Sequence, residues 1–520
     1  MPLSARRTQL FGSPVTYVKT TILVAGLVLA SLIQGCAVHP QPLTMTAIQE
    51  SADLNVEEVA AGQETAADAI GLYEAMARAI KYNLDLKVEE LQTALRIQEL
   101  DLTHWDMLPQ LVANSGYAAR NNDNASSSVD IMTGVESLRT STSQERRINT
   151  ADIGFSWNVL DFGLSYVRAK QAADKALIQE EMQRKVVQRI VEDVRTAYWR
   201  AVSAERLMRK LSALEKRTAT ALKNTRKQST ERETSPITAL TYERELVEVK
   251  RTIQELERDL KVAKTQLSAL MNIPPDQEFS LVIPDRTDKT PNPGMTVKEM
   301  VTFAMLNRPE LRDTAYQRRM NEGEADAALL ELMPGIQLNA DLSYDSNDFL
   351  LHNNWAGLGY KASWNLLKIF RYPQKRDIVK MQDELLHQRE LALTLAIRTQ
   401  VHVSHVRYQH MRRELRTAAE YLDVQRRLMG QMRAEAKVGK ISEQTLIREE
   451  MNTLIAEVKH DIAFSSLQNG YANLYASMGL DPYQDALDAK LSVKDLTAQL
   501  KQLWVERGES RVKAKISSAE

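Results

Sequence analysis

The chain has little of what punctuates and cross-links small folds. One cysteine in 520 residues excludes an internal disulfide framework and any cysteine-based zinc site. With 19 glycines and 15 prolines it is not built from many tight turns, nor is it a Pro/Gly-rich disordered chain. Aromatic residues, at 6%, are scarce for a protein of many packed sheets. No sign of charge prevails: 67 Lys+Arg against 68 Asp+Glu leaves −1, which argues against a surface that holds nucleic acid by net positive charge. What remains is 26% charged and 43% apolar residues, a balance that suits long solvated helices.

The one cysteine is placed tellingly. Arg6, Arg7 and Lys19 precede an apolar run from Ile22 to Ile33, followed by Gln34-Gly35-Cys36. A basic start, a short apolar run and a small residue before the cut describe a secretory signal. The run is too short for a spanning helix, which needs ~20 apolar residues. Leu32-Ile33-Gln34-Gly35-Cys36 resembles a bacterial lipobox, which implies lipidation of Cys36 as the mature N-terminus; the alternative is an ordinary signal peptide with a chance cysteine. Ala37, where an Asp would signal inner-membrane retention, points to export to the outer membrane.

The chain is also duplicated. Tyr82-Asn83-Leu84-Asp85-Leu86 aligns with Asn307-Arg308-Pro309-Glu310-Leu311, and Met107-Leu108-Pro109 with Leu332-Met333-Pro334, both at an offset of 225 (310 − 85). Ser156-Trp157-Asn158-Val159-Leu160 then aligns with Ser363-Trp364-Asn365-Leu366-Leu367 at an offset of 207 (364 − 157). The same offset pairs Ser235 with Ser442 and Ala269-Leu270-Met271 with Ala476-Ser477-Met478. The length difference therefore lies between Pro109 and Ser156. This divides the chain into a signal peptide (1–35), a mature N-terminal segment (36–65), a first repeat (66–275), a linker (276–294), a second repeat (295–482) and a C-terminal helix and tail (483–520).

Each repeat reads as helix, two strands and a long helical hairpin. The first helices run over 66–107 and 297–333, each stopped by a proline. Apolar and polar residues then alternate over 110–120, 151–160, 336–345 and 356–366, the period of a strand with one apolar face. Ile190, Val194, Ala197, Ala201, Ala204, Met208 and Leu211 step by four and three, a coiled-coil seam repeated at Ile397, Val401 and Tyr408. The hairpins cover 162–271 and 374–478, with breaks at Ser235-Pro236 and at Val438-Gly439-Lys440-Ile441-Ser442. Ser235 and Ser442 sit at N-cap positions and Pro236 at the first helical position.

Four strands of ~10 residues, apolar on one side, have the length and alternation of membrane strands. Tyr117, Trp157, Tyr344 and Trp364 lie near strand ends, as an interfacial aromatic girdle does. Asn339, Asp341, Ser343, Lys361, Ser363 and Asn365 fall on the opposite, pore-lining face. The competing reading is two hairpins lying on a soluble core. Four strands cannot close a barrel, and lipid forbids open edges. Two chains would give a nearly filled eight-stranded barrel; three would give twelve strands and a lumen.

The tandem repeat, the strand pairs after prolines, Ser-Trp-Asn-Val-Leu and Ser-Trp-Asn-Leu-Leu before long helices, and Met-Gly-Leu-Asp-Pro at 478–482 together resemble the TolC-like outer-membrane efflux protein family over about residues 66–482. The resemblance implies a mainly α fold with β: long helical hairpins forming a periplasmic α-barrel, and four strands per chain in a trimeric 12-stranded transmembrane β-barrel. It further implies a homotrimer in the outer membrane, serving as exit duct for an inner-membrane transporter through a periplasmic adaptor protein. The family's Val-Gly-Leu-Ser tip resembles Val438-Gly439-Lys440-Ile441-Ser442, where Lys440 intrudes. The first tip, ending in Ser235-Pro236, departs from that pattern.

His402, His405 and His410 share one helix, but their counterparts Arg195 and Tyr198 are not ligands, and they read as solvated or packed residues rather than a metal site. Asp161 and Lys368 occupy equivalent strand-to-helix junctions. The sequence offers no catalytic arrangement and no cofactor motif, so an enzyme is not expected. The alternative function is a lipid-anchored periplasmic coiled-coil adaptor or scaffold. An adaptor would have a single hairpin, and a scaffold would need no alternating strands. The anchor is tested by metabolic palmitate labelling: the wild type should incorporate label and Cys36→Ser should not, and an unlabelled wild type would refute lipidation.

Overall fold

The computed structural model describes residues 41–65, 68–136, 139–230, 235–274, 277–285, 294–480 and 491–509. Cys36 and the signal segment lie outside the described residues, as do 231–234 of the first tip. The chain divides into two compact units, Met1–Gly62 and Gln63–Glu520. In the first, α1 (Met45–Ala60) is capped by Thr44, whose Oγ1 accepts from the Ala47 N–H at 3.2 Å.

The second unit begins with β1 (Ala69–Ile70), α2 (Leu72–Tyr82) and α3 (Leu84–Trp105). Then come β2 (Gln110–Ala119), the short β3 (Ala125–Ser126) and β4 (Ser141–Thr142), and β5 (Arg147–Asn158). The 72-residue α4 (Val159–Thr230) is followed by α5 (Pro236–Leu270) and β6 (Ser280–Leu281). The second repeat is α6 (Val297–Asn307), α7 (Pro309–Leu330), β7 (Gly335–Asp345), β8 (Asn354–Ser363), the 70-residue α8 (Lys368–Lys437) and α9 (Glu443–Ser477). Last is α10 (Val493–Glu509).

Several boundaries correct the sequence reading. The single helices expected over 66–107 and 297–333 are each two helices, broken at Asn83 and Arg308. Asn83 is extended (φ −66°, ψ 124°), and its Oδ1 caps α3 by accepting from the Leu86 N–H at 3.3 Å. Pro309 imposes the same break, because it favours an extended residue before it and a helix start at its own position. The expected linker contains β6, which pairs in parallel with β1. Helix α8 starts before Pro373 and carries it in its second turn, forgoing one intrahelical bond. Asn365, expected on a pore-lining strand, lies beyond the end of β8. There its Oδ1 accepts from the Leu367 N–H at 3.2 Å and its carbonyl from the Lys368 N–H at 3.1 Å, turning the chain into α8.

The four long strands form one antiparallel sheet in the order β2-β5-β7-β8, so the β5–β7 pair joins the repeats. The connection 120–146 against 346–353 absorbs the change of repeat offset. Below the sheet the helices are ordered the same way: α3 packs on α4, α4 on α7, and α7 on α8. Further along, α5 replaces α3 beside α4, and α9 replaces α7 beside α8. Two unbroken helices are therefore each lined by two shorter ones laid end to end.

The main apolar core lies where those shorter helices meet. Met76 and Ile80 of α2, Leu496 and Leu500 of α10, and Met300 of α6 close over Val194, Tyr198 and Ala201 of α4. The Arg195 guanidinium lies 4.3 Å from the Trp504 ring centroid. Tyr471 bridges α8 to α10: its ring centroid is 5.8 Å from Tyr408, 4.8 Å from Tyr475 and 6.5 Å from Trp504. Burial pushes the Tyr408 phenol up to about 12 and raises Tyr471 as well, so both stay uncharged in neutral solution. Toward the tip, Leu207, Leu211, Ile253, Ile447 and Met451 form a second core, while α8 buries Leu422 and Met429 seven residues apart, continuing from Leu415 of the main core.

Helix α9 ends at Gly479, whose φ of +73° lets the Leu480 N–H reach the Tyr475 carbonyl at 3.1 Å. A Cβ there would also lie 2.7 Å from the Asn307 backbone. Gly439 has a similar φ of +75° but open space around it. Gly439→Ala should therefore cost only the left-handed term, ~1–2 kcal/mol. Gly479→Ala should cost distinctly more, read as the larger fall in thermal midpoint; equal falls would contradict the packing at Asn307.

Candidate functional site

Strand register sorts the side chains of the sheet into two chemistries. Leu111, Phe155, Ala340 and Leu358 stand in one line across the four strands, and Ala113, Ile153, Leu342 and Ala356 in the next. Leu358 is 90% exposed and Leu111 71%, so this chain leaves its apolar face uncovered. Tyr117 and Tyr344 lie toward the loop end of that face. Trp157 and Trp364 lie at the helix end, Trp364 just past its strand. The Trp364 Nε1–H donates to the Leu332 carbonyl at 2.8 Å, and Trp157 meets Phe162 edge-on at 5.8 Å.

On the opposite face Gln110, Ser156, Asn339 and Gly359 align, as do Asn114, Asp152, Ser343 and Trp355. The Asn114 amide donates to Asp152 at 2.8 Å, Gln337 to Ser156 Oγ at 2.8 Å, and Ser343 Oγ to Asp341 at 2.9 Å. Gly357 leaves room for the Asp341 carboxylate, whose Oδ2 would be 2.8 Å from an added Cβ. Asn339, Asp341, Ser343, Lys361 and Ser363 thus share the polar face; Asn365 does not. Trp355 on the polar face was missed, because the strand was expected to begin at 356, one residue past it. Among the described residues, β2 and β8 each pair on one side, leaving two edges.

The helices repeat this sidedness. On α3, Leu84, Val88, Leu91, Leu95, Leu102 and Trp105 form an exposed stripe at three- and four-residue spacing. On α8, Ile378, Met381, Leu385 and Leu395 are exposed likewise, as are Tyr421, Val424 and Leu428 nearer the tip. These flanks continue the β2 and β8 edges. Among the described residues, no helix is long and apolar enough to cross a membrane.

The two hairpin tips differ in construction. At the second, Gly439 takes the left-handed turn and the Lys440 N–H reaches back to the Glu435 carbonyl at 3.1 Å. Ser442 caps α9, its Oγ accepting from the Thr445 N–H at 3.2 Å. Val438, Gly439 and Lys440 are exposed, Val438 at 68%, and Ile441 is half-buried. At the first tip Ser235 occupies the N-cap and Pro236 the first turn, yet the Ser235 side chain makes no capping bond.

Behind the tips runs a charge ladder that sequence reading did not identify. Glu450 and Glu457, seven residues apart on α9, each sit between a cation of α4 and a cation of α8. Glu457, 4% exposed, accepts from Lys210 at 2.7 Å and from Arg426 at 3.3 Å. Glu450 pairs with Arg217 and with Arg433, the latter at 3.1 Å. The cations are themselves seven apart, which was the available signal. His402, His405 and His410 lie on α8 away from this ladder; burial, and secondarily His402, hold His405 below its ordinary value. Glu457→Gln removes a buried charge shared by two cations and should cost about 1–3 kcal/mol. A lowered thermal midpoint with faster proteolysis near the tips is expected; an unchanged midpoint would show the ladder to be energetically idle.

Comparison with known proteins follows this geometry. A family model described as outer membrane efflux protein matches residues 302–480. No curated protein matches the sequence. The Campylobacter jejuni CmeC outer membrane channel superposes with a TM-score of 0.62 at 12% identity, covering 85% of this chain and 94% of that one. The open state of the Neisseria gonorrhoeae MtrE outer membrane channel gives 0.59 at 14% identity, covering 81% and 94%. CusC, described for its transmembrane channel formation, gives 0.59 at 15% identity, covering 81% and 96%. Residues 302–480 thus match the outer membrane efflux protein model, within a chain that has the fold of outer-membrane channels.

Proposed function

We propose that the protein is the outer-membrane exit duct of a tripartite efflux or type I secretion system. In this reading substrate leaves an inner-membrane pump, crosses a periplasmic helical tube and emerges through a β-barrel. The observation that carries it is the sheet: four strands whose registers align one apolar and one polar face, with both edges open. Hydrocarbon tolerates such a sheet only when its edges are paired. Joining β8 of one copy to β2 of the next repeats head to tail, and three copies give twelve strands around a lumen too wide for side chains to fill. The exposed stripes on α3 and α8 meet in the same arrangement, extending the ring below the membrane. Asn339, Asp341, Ser343, Lys361 and Ser363 then line the pore, and Tyr117, Trp157, Tyr344 and Trp364 mark the bilayer boundaries. Cys36 supplies a lipid anchor, and the tips face the periplasmic adaptor. The role is transport, without catalysis, cofactor or nucleic acid.

Neighbouring positions on β7 should respond oppositely to charge. Ala340→Arg, between the two aromatic levels, places a cation against lipid at ~2–4 kcal/mol near the bilayer midplane and should block trimer assembly. Asn339→Arg should assemble and alter single-channel conductance in planar bilayers. Equal assembly defects would refute the assigned facing.

The second tip is the proposed principal adaptor contact, since its glycine turn is exposed and sterically open. Gly439→Trp should leave a heat-modifiable trimer in outer-membrane fractions but reduce both export and adaptor cross-linking. Unchanged export and cross-linking would assign these residues to helix termination alone.

A further inference from the structure

Just below the sheet, α4 and α7 part to leave a groove of about 890 Å³. Glycines on both walls open it: a Cβ on Gly163 would meet Leu330 at 3.6 Å, and one on Gly323 would meet Val167 at 3.4 Å. Polarity changes along its length. Val167, Leu330 and Met333 line the end next to the strands, whereas Lys170, Glu322 and Asp326 line the far end. There Arg319 of α7 is tied to the buried Asp174 of α4, its Nε donating at 2.9 Å across the groove.

The α4 wall of the groove continues from the sheet's apolar face. Trp157 of that face packs on Phe162, and Tyr166 and Lys170 follow on the same helical stripe at intervals of four. The Lys170 ammonium lies 4.6 Å from the Tyr166 ring centroid and has no carboxylate partner among the described residues. A second copy of the chain would not cover this place, because the exposed stripes suited to a neighbour lie on α3 and α8.

We propose that this groove holds one phospholipid of the adjoining leaflet, with a primary-amine headgroup. This inference rests on the membrane reading above. The acyl chain lies along the apolar end, continuing the lipid-facing surface of the sheet. Lys170 takes the phosphate. Glu322 and Asp326, one turn apart on α7, accept from the ammonium. Beyond the Arg319–Asp174 pair, one cation beside two carboxylates favours a zwitterionic headgroup over an anionic one, and a choline headgroup has no N–H to donate.

The test uses full-length protein reconstituted in bilayers of equal phosphatidylethanolamine and phosphatidylcholine, then released gently for native mass spectrometry. One phosphatidylethanolamine per chain should be retained. Lys170→Ala should lower retention roughly tenfold, as expected for loss of a charge-assisted contact. Glu322→Ala with Asp326→Ala should abolish the preference over phosphatidylcholine. All three positions are exposed, so the variants should fold. Retention and preference unchanged in both variants would overturn the proposal, as would finding only the chain's own acyl anchor in the groove. Sedimentation of the same protein with outer membranes separates the two readings. A membrane-inserted channel without retained lipid overturns the groove alone; absence from the outer membrane overturns both.

Discussion

An unpaired backbone N–H or carbonyl cannot be left facing hydrocarbon, and the proposed channel depends on that constraint. The sheet is apolar on one face and polar on the other, a surface made for two solvents, but β2 and β8 each leave an edge open. A soluble sandwich would cover the apolar face with other elements of its own chain. Here Leu358 and Leu111 stay bare, and α3 and α8 carry their exposed stripes on the same two flanks. Sheet and helices therefore leave the same two flanks open, and the proposed head-to-tail joint answers both.

The features legible in the sequence were those with a period. Alternation found the four strands, and the four-three stepping around Val194 and Val401 found residues that are fully buried. Less visible were features decided by one residue. Asn83 breaks a helix without disturbing the apolar pattern on either side, since its side chain replaces the backbone bond that the break removes. Its counterpart Pro309 announces the same break openly. Asn365 continued the alternation of β8 in the sequence, yet its side chain serves a turn. Trp355 shows the converse: a large apolar residue on the polar face, placed by register rather than by character.

The charge ladder was hidden for another reason. Glu450 and Glu457 look like ordinary solvated positions on a charged helix until α4 and α8 are both laid beside α9. Only then do seven-residue spacings on three helices coincide, with Lys210 and Arg217 on one side and Arg426 and Arg433 on the other. The pairing is specific in a way that apolar contact is not. A slip of α9 by one turn would leave each carboxylate without its cations, at the cost of an unpaired buried charge at Glu457. The ladder thus fixes the register of the tip-ward helices.

The two cores of the second unit divide the work of holding the helices. Midway along α4 and α8, the ends of four shorter helices meet under α2, α6 and α10, where apolar and aromatic side chains surround the buried Arg78, Arg195 and Arg308. Their attraction is non-directional, and Arg308, donating at 3.0 Å to the Ala476 carbonyl and to Gln400, adds directional contacts that tie the start of α7 to α9 and α8. Toward the tips the apolar cluster narrows to residues of α4, α5 and α9, with α8 joining through single residues each heptad and through the ladder. There the thin apolar seam leaves alignment to directional charge pairs. The girdle draws the long and short helices together, and the ladder sets the register of the helices behind the tips.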